Sequence, residues 1–258
     1  RRPGHGEVNF MNASPDLSPG LARPQDAAVT APTRRTVDAP TRAFHWLLAF
    51  SFVGAYVTAD GERWRLVHET LGYTMIGLLA FRLVWGWLGP RPTRWAALTG
   101  KLAAAPAWLK GAAQGRIDWR GGQNLLLAAS VLLLLGLIAP LTLSGYAVNQ
   151  DWASEWLEEV HEFFGNAMLA VVLAHVALIA ALSLLRGRNL AWPMVSGRSP
   201  GRGPDLVKRN RVWLGAALVA AAVAFWAWQW QQVPAGDSAA GSATAVQAQS
   251  GHAHDDDD

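Results

Sequence analysis

The sequence predicts an all-α membrane protein, and three observations carry that prediction. Of the 258 residues, 51% are hydrophobic and only 16% are charged, against roughly 25% charged in an ordinary soluble domain. The apolar residues gather in runs approaching or exceeding the ~20 residues that a helix needs to cross a bilayer. The lysines and arginines are confined to particular stretches between those runs, as orientation signals are.

The elements follow in order along the chain. Residues 1–38 are polar and rich in Pro, Ala and Arg, the composition of a disordered segment. Membrane helices are expected at 43–59, 66–88, 123–148 and 157–185, with a fifth, C-terminal one at 212–230. The third contains Pro140, Ser144 and Gly145, which favour a kink or a close helix contact. Segment 95–113, with Trp95, Leu98, Leu102, Trp108 and Leu109 beside Lys101 and Lys110, is open between a helix lying in the interface and a connecting loop with Trp anchors. Trp226, Trp228 and Trp230 suit an aromatic belt at the end of the fifth helix. Residues 231–258, closing on His252, His254 and four aspartates, read as a disordered acidic tail. The chain thus divides into 1–38, a membrane domain over 39–198, a basic linker with the fifth helix over 199–230, and the tail.

Charge orients these helices. Segment 90–121 carries Arg91, Arg94, Lys101, Lys110, Arg116 and Arg120, and 186–211 carries Arg186, Arg188, Arg198, Arg202, Lys208, Arg209 and Arg211. Loop 149–160 has only Asp151, Glu155, Glu158 and Glu159, while in loop 60–65 Arg63 and Arg65 are offset by Asp60 and Glu62. The positive-inside rule puts the N-terminus and both basic segments in the cytoplasm, and the short loops and C-terminus outside. The same confinement argues against nucleic acid as the reason for a net charge of +3. With no cysteine in the chain, thiolate-held clusters and c-type haem attachment are excluded.

Four histidines punctuate the apolar runs: His45, His68, His161 and His175. Ionisable groups in a membrane are costly and mark functional sites by default. His161 and His175 lie 14 residues apart, so they leave nearly the same helix face, separated by roughly 21 Å of rise. With the orientation above, His68 and His161 fall at one depth near the outer face, and His45 and His175 at another near the inner face. The second and fourth helices also share His-Glu-x-x-Gly-x-x-Met, as His68…Gly72…Met75 and His161…Gly165…Met168. Each glycine follows its histidine by four residues on the same face and leaves room for a flat macrocycle. Arg82 stands 14 residues after His68, where the fourth helix has His175. At that depth its guanidinium suits carboxylates such as haem propionates. A lone membrane histidine is often only an interhelical hydrogen-bonder, but four in depth-matched pairs suit axial coordination of two planar cofactors. Bis-His ligation fills both axial positions, which suits electron transfer rather than oxygen binding.

At these residues the chain resembles the bacterial cytochrome b561 family and the related cytochrome b subunits of nickel–iron hydrogenases. The resemblance lies in Arg42-Ala-Phe-His45-Trp46, His68-Glu-Thr-Leu-Gly72-Tyr73, Leu79-Ala-Phe-Arg82-Leu-Val-Trp85, Glu159-Val-His161-Glu, the position of His175, and Asn189-Leu-Ala-Trp-Pro-Met194-Val-Ser-Gly197. It implies a four-helix transmembrane bundle holding two b haems in a bacterial inner membrane and exchanging electrons with quinone. The run Gly122-Gln123-Asn124-Leu125 departs from the family's Gly-His-Asn-Pro, which puts that extra histidine's role in doubt and leaves the four ligands untouched. The fifth helix and the tail exceed the family core.

These observations lead to transmembrane electron transfer between quinone and an outer-face redox protein, such as a c-type cytochrome or a hydrogenase-like subunit. The expected cofactor-binding residues are His45, His175, His68, His161, Arg42, Arg82, Gly72 and Gly165; no catalytic residue is named. Superoxide oxidation is a second possibility, disfavoured because an anion is steered by positive charge and the outer loops are net acidic. A metal transporter or assembly factor using the histidines and the His252/His254 tail is a third, opposed by the apolar stretches between the histidines.

Overall fold

The computed structural model of the protein describes residues 32–152 and 155–232. Five long helices dominate: α1 (Ala39–Val57), α2 (Arg65–Leu88), α5 (Trp119–Asn149), α6 (Trp156–Leu185) and α8 (Val212–Gln231). Between α2 and α5 come two short helices, α3 (Trp95–Ala103) and α4 (Ala105–Ala113), so 95–113 is helical rather than a plain loop. One turn of helix, α7 (Trp192–Ser196), follows α6. Two three-residue strands, β1 (Thr33–Arg35) and β2 (Arg198–Pro200), pair antiparallel with Arg34 opposite Ser199.

Local chemistry sets several boundaries. Pro40 sits in the first turn of α1, where its missing N–H costs nothing. Asp118 caps α5, its carboxylate accepting the Gly121 N–H at 3.0 Å. Gly197 ends α7 in the left-handed conformation, at φ 76°, which a residue without Cβ adopts freely.

Among the described residues, four segments are long and apolar enough to cross a membrane: Glu62–Leu88, which contains α2, and the helices α5, α6 and α8. Five spans are expected from the sequence. The difference lies at α1, whose 19 residues include Pro40, Thr41 and Arg42 in the first turn and His45 in the second.

Helices α5 and α6 form a tight antiparallel hairpin; α1 packs on both α2 and α8, and α2 on α5. Phe44, Leu47 and Phe52 of α1, Met75 and Leu78 of α2, Leu135, Ile138 and Leu141 of α5, Met168 of α6 and Ala222 of α8 make one core. Large apolar side chains also cover the outside of the bundle: Phe50, Leu143, Phe163 and Leu184 are all exposed, as helices surrounded by lipid allow. Since lipid tails solvate such residues well, close backbone approach matters more than apolar burial. Gly215 of α8 meets α1 in this way: a Cβ there would stand 3.1 Å from the Ala39 carbonyl.

The structure differs from the sequence expectation at residues 33–38. They are ordered, because β1 finds its partner some 160 residues away, where no local pattern announces it. The Arg35 N–H donates to Asp205 at 2.6 Å, and the N–H groups of Thr36 and Val37 both reach the Gly197 carbonyl. The basic linker therefore folds back over the start of α1. Trp226 also departs from the expected belt. Its indole N–H turns inward to the Thr74 hydroxyl at 2.8 Å, while Trp228 and Trp230 remain exposed. The His252/His254 tail lies outside the described residues.

Candidate functional site

The outer pair is built by α2 and α6. His68 and His161 face one another with ring centroids 6.0 Å apart and ring planes at 86°. Two imidazoles held at about 2 Å from one metal place their centroids about 6 Å apart, with either ring free to turn about the common axis. Hydrogen bonds choose the tautomer of each ring. The Nδ1 of His68 lies 2.8 Å from the Ala55 carbonyl of α1, and that of His161 lies 3.0 Å from the Leu141 carbonyl of α5. A carbonyl only accepts, so each Nδ1 carries the proton and each Nε2 keeps a lone pair for a metal.

The inner pair is looser. His175 is held in the same manner by Ser130: the hydroxyl donates to the Leu127 carbonyl at 2.9 Å, leaving its lone pairs to accept from His175 Nδ1 at 2.9 Å. His45 of α1 lies within electrostatic range of His175. Among the described residues, only the outer pair makes a His–His ring contact. His45 Nδ1 is buried without a partner, and so are Thr41 Oγ1, Arg42 Nε and Arg82 Nη1. These orphaned polar atoms lie in the first two turns of α1 and the C-terminal third of α2. Unpaired buried donors are rare in native structures, and a group bearing carboxylates would supply acceptors for Arg42 Nε and Arg82 Nη1, although one buried acceptor near Arg82, Asp38 Oδ1, is itself unpartnered.

Arg82 is 8% exposed and lies with its guanidinium 4.8 Å from the Trp95 ring. Asp38, fully buried, lies within electrostatic range of it and accepts the Trp85 indole N–H at 3.1 Å. Arg42 donates from Nη1 to the Val195 carbonyl at 2.6 Å, and Trp46 donates to Met194 at 2.9 Å. Two separate pieces of the sequence resemblance, 42–46 and 189–197, thus bond to each other across the inner end of the bundle. Around Gly72 nothing lies within 4 Å of a Cβ position, and at Gly165 only a Leu141 methyl does, at 4.0 Å. Both glycines face open space, as a macrocycle beside each helix requires.

The sequence favours a close helix contact at Ser144 and Gly145, but it does not announce that the contact is with His161 or that Ser130 bonds to His175. Gly145 lets α5 approach the outer pair, since a Cβ there would fall 2.6 Å from His161 Cε1. Ser144 lies 3.2 Å from His161 Nδ1, just as Ser130 serves His175. A signal for both was present: Ser130 and Ser144 are 14 residues apart, the spacing of His161 and His175 on the antiparallel partner. Where the family pattern has a histidine, Gln123 and the neighbouring Asn124 accept from Arg186 at 2.9 and 3.2 Å and tie the ends of α5 and α6 together.

The family model of prokaryotic cytochrome b561 matches residues 36–197. The chain belongs to the prokaryotic cytochrome b561 family. It is accordingly a multi-pass membrane protein of haem b electron transfer. The family match ends before α8, so that helix is an addition to the shared core. No curated protein and no solved structure matches the chain.

Proposed function

We propose that this cytochrome carries electrons across a bacterial inner membrane through two bis-His b haems, between quinone and a redox protein at the outer face. The observation that carries the reading is the outer pair: two imidazoles 6.0 Å apart, each with Nδ1 engaged by a carbonyl. Haem held there supplies a low-spin iron that changes oxidation state without exchanging ligands. The chain's own contribution is positional. Ala55, Leu141 and Ser130 hold three rings in the tautomer that presents Nε2, and Gly72, Gly145 and Gly165 keep Cβ atoms out of the way. The orphaned nitrogens of Arg82 and Arg42 would receive propionates of the inner haem.

The inner pair requires α1 to run the full depth of the bundle, as a fifth span. Its first turns meet Met194 and Val195, just beyond α6, while Ala55 reaches His68 and Tyr56 donates to Asn166 of α6 at 3.0 Å. Nineteen residues rise about 28 Å, close to the ~30 Å of a hydrocarbon core.

For quinone, the supporting feature is a groove of about 520 Å³ between α2 and α8, open toward lipid. Phe225 and Trp228 line it with Tyr73 and Gln229. The Tyr73 oxygen accepts from Asn149 at 2.8 Å, leaving its own O–H for a ligand. A neutral head with carbonyl acceptors suits these uncharged donors, and Tyr73 follows His68 by five residues, about 7.5 Å of rise.

The superoxide reading is weaker still on this geometry, because Arg65, one of two outer bases, is paired with Glu69 at 2.8 Å. A metal-ion path finds no group of three or more His, Asp or Glu among the described residues. The deciding experiment is the optical spectrum of the purified protein together with His68→Ala and His175→Ala. Each variant is expected to lose one haem and keep the other; loss of both equally, or of neither, defeats the pairing.

A further inference from the structure

A basic pocket lies at the junction of α3, α4 and the start of α5, and none of the four histidines lines it. Its volume is about 370 Å³, and Lys101, Trp108, Arg116 and Asp118 are among its lining residues. The pocket is firmly built. Trp108 donates to the Asp118 carbonyl at 2.8 Å and lies flush on α5, where a Cβ at Gly122 would stand 2.7 Å from its ring.

We infer that this pocket seats the phosphate head of an anionic phospholipid between Lys101 and Arg116. Three observations argue for that occupant. Segment 90–121 holds six bases and a single acid, Asp118, and the Asp118 carboxylate is already engaged as the α5 cap. Among the described residues no carboxylate comes within ion-pair distance of Lys101 or Arg116; the Arg116 guanidinium donates to the neutral Gln114 side chain. Further along α5, Leu126 and Leu133 are 57% and 52% exposed and offer apolar surface for acyl chains. A charged socket on a helix that also exposes leucines matches a molecule with an anionic head and hydrocarbon tails. Basic pockets between membrane helices take such lipid heads. This inference needs only a membrane location and does not depend on the haem assignment.

The test uses full-length protein in neutral detergent, with native mass spectrometry reading the first bound lipid. Phosphatidylglycerol is expected to bind more tightly than phosphatidylcholine. The double variant K101Q/R116Q should weaken phosphatidylglycerol about twenty-five-fold, roughly fivefold for each base, and leave phosphatidylcholine unchanged. The charge-keeping variant K101R/R116K should retain the preference, which separates charge from folding. Equal binding of the two lipids, or a preference that survives K101Q/R116Q, overturns the proposal. So does displacement by inorganic phosphate at equal concentration, since that marks a site for free anions.

Discussion

The finest structural detail lies at Nδ1 of three histidines. Ser130 is the partner of His175 Nδ1, whereas His161 has both Leu141 and Ser144. Removing a ligand's outer hydrogen-bond partner typically costs 10–100-fold in metal affinity. Ser130→Ala is therefore expected to weaken retention of the inner haem by about that factor, and Ser144→Ala to change the outer one little, because the carbonyl remains. Haem loss to apomyoglobin, followed by absorbance, measures both. Arg82 permits a second prediction. A nearby positive charge favours the reduced haem, so Arg82→Gln should lower the inner midpoint potential by an amount on the order of tens of millivolts. A redox titration resolves it, and an unchanged potential would remove Arg82 from the site. The four histidines were legible because residues costly in hydrocarbon stand out from their surroundings. The histidine contacts of Ser130, Ser144 and Gly145 were not legible, because hydroxyls and glycines are ordinary in membrane helices and acquire a specific partner only in the register of the neighbouring helix.

Among the elements, α2, α5, α6 and α8 were legible to within a few residues, since long apolar runs depend on composition alone. The ordered start at 33–38 was hidden because its partners, Gly197, Ser199 and Asp205, are distant in sequence. The inward turn of Trp226 was hidden for the same reason: only contact with Thr74 distinguishes it from the tryptophans beside it. Helix α8 lies outside the family match yet walls the groove on α2. Ala221→Trp would fill that groove from the α8 side. It is expected to raise KM for a soluble quinone severalfold while the haem spectrum stays constant. Unaltered quinone kinetics would move the quinone site elsewhere.

For the whole molecule, the central issue is orientation. Bases concentrate in 90–121 and 186–211 and are absent from 149–160, so the protein is expected to sit with those basic segments in the cytoplasm. The chain has no cysteine, so single substitutions report without background. Arg202→Cys should resist a membrane-impermeant maleimide in intact cells, and Glu158→Cys should react. At this scale the haems, the full-depth path of α1 and the two depths of histidine form one hypothesis, and haem stoichiometry tests it most directly. A pyridine haemochrome assay on the purified protein is expected to give two b haems per chain, falling to one in His68→Ala. One haem in the unaltered protein, or two remaining after His68→Ala, would contradict the account.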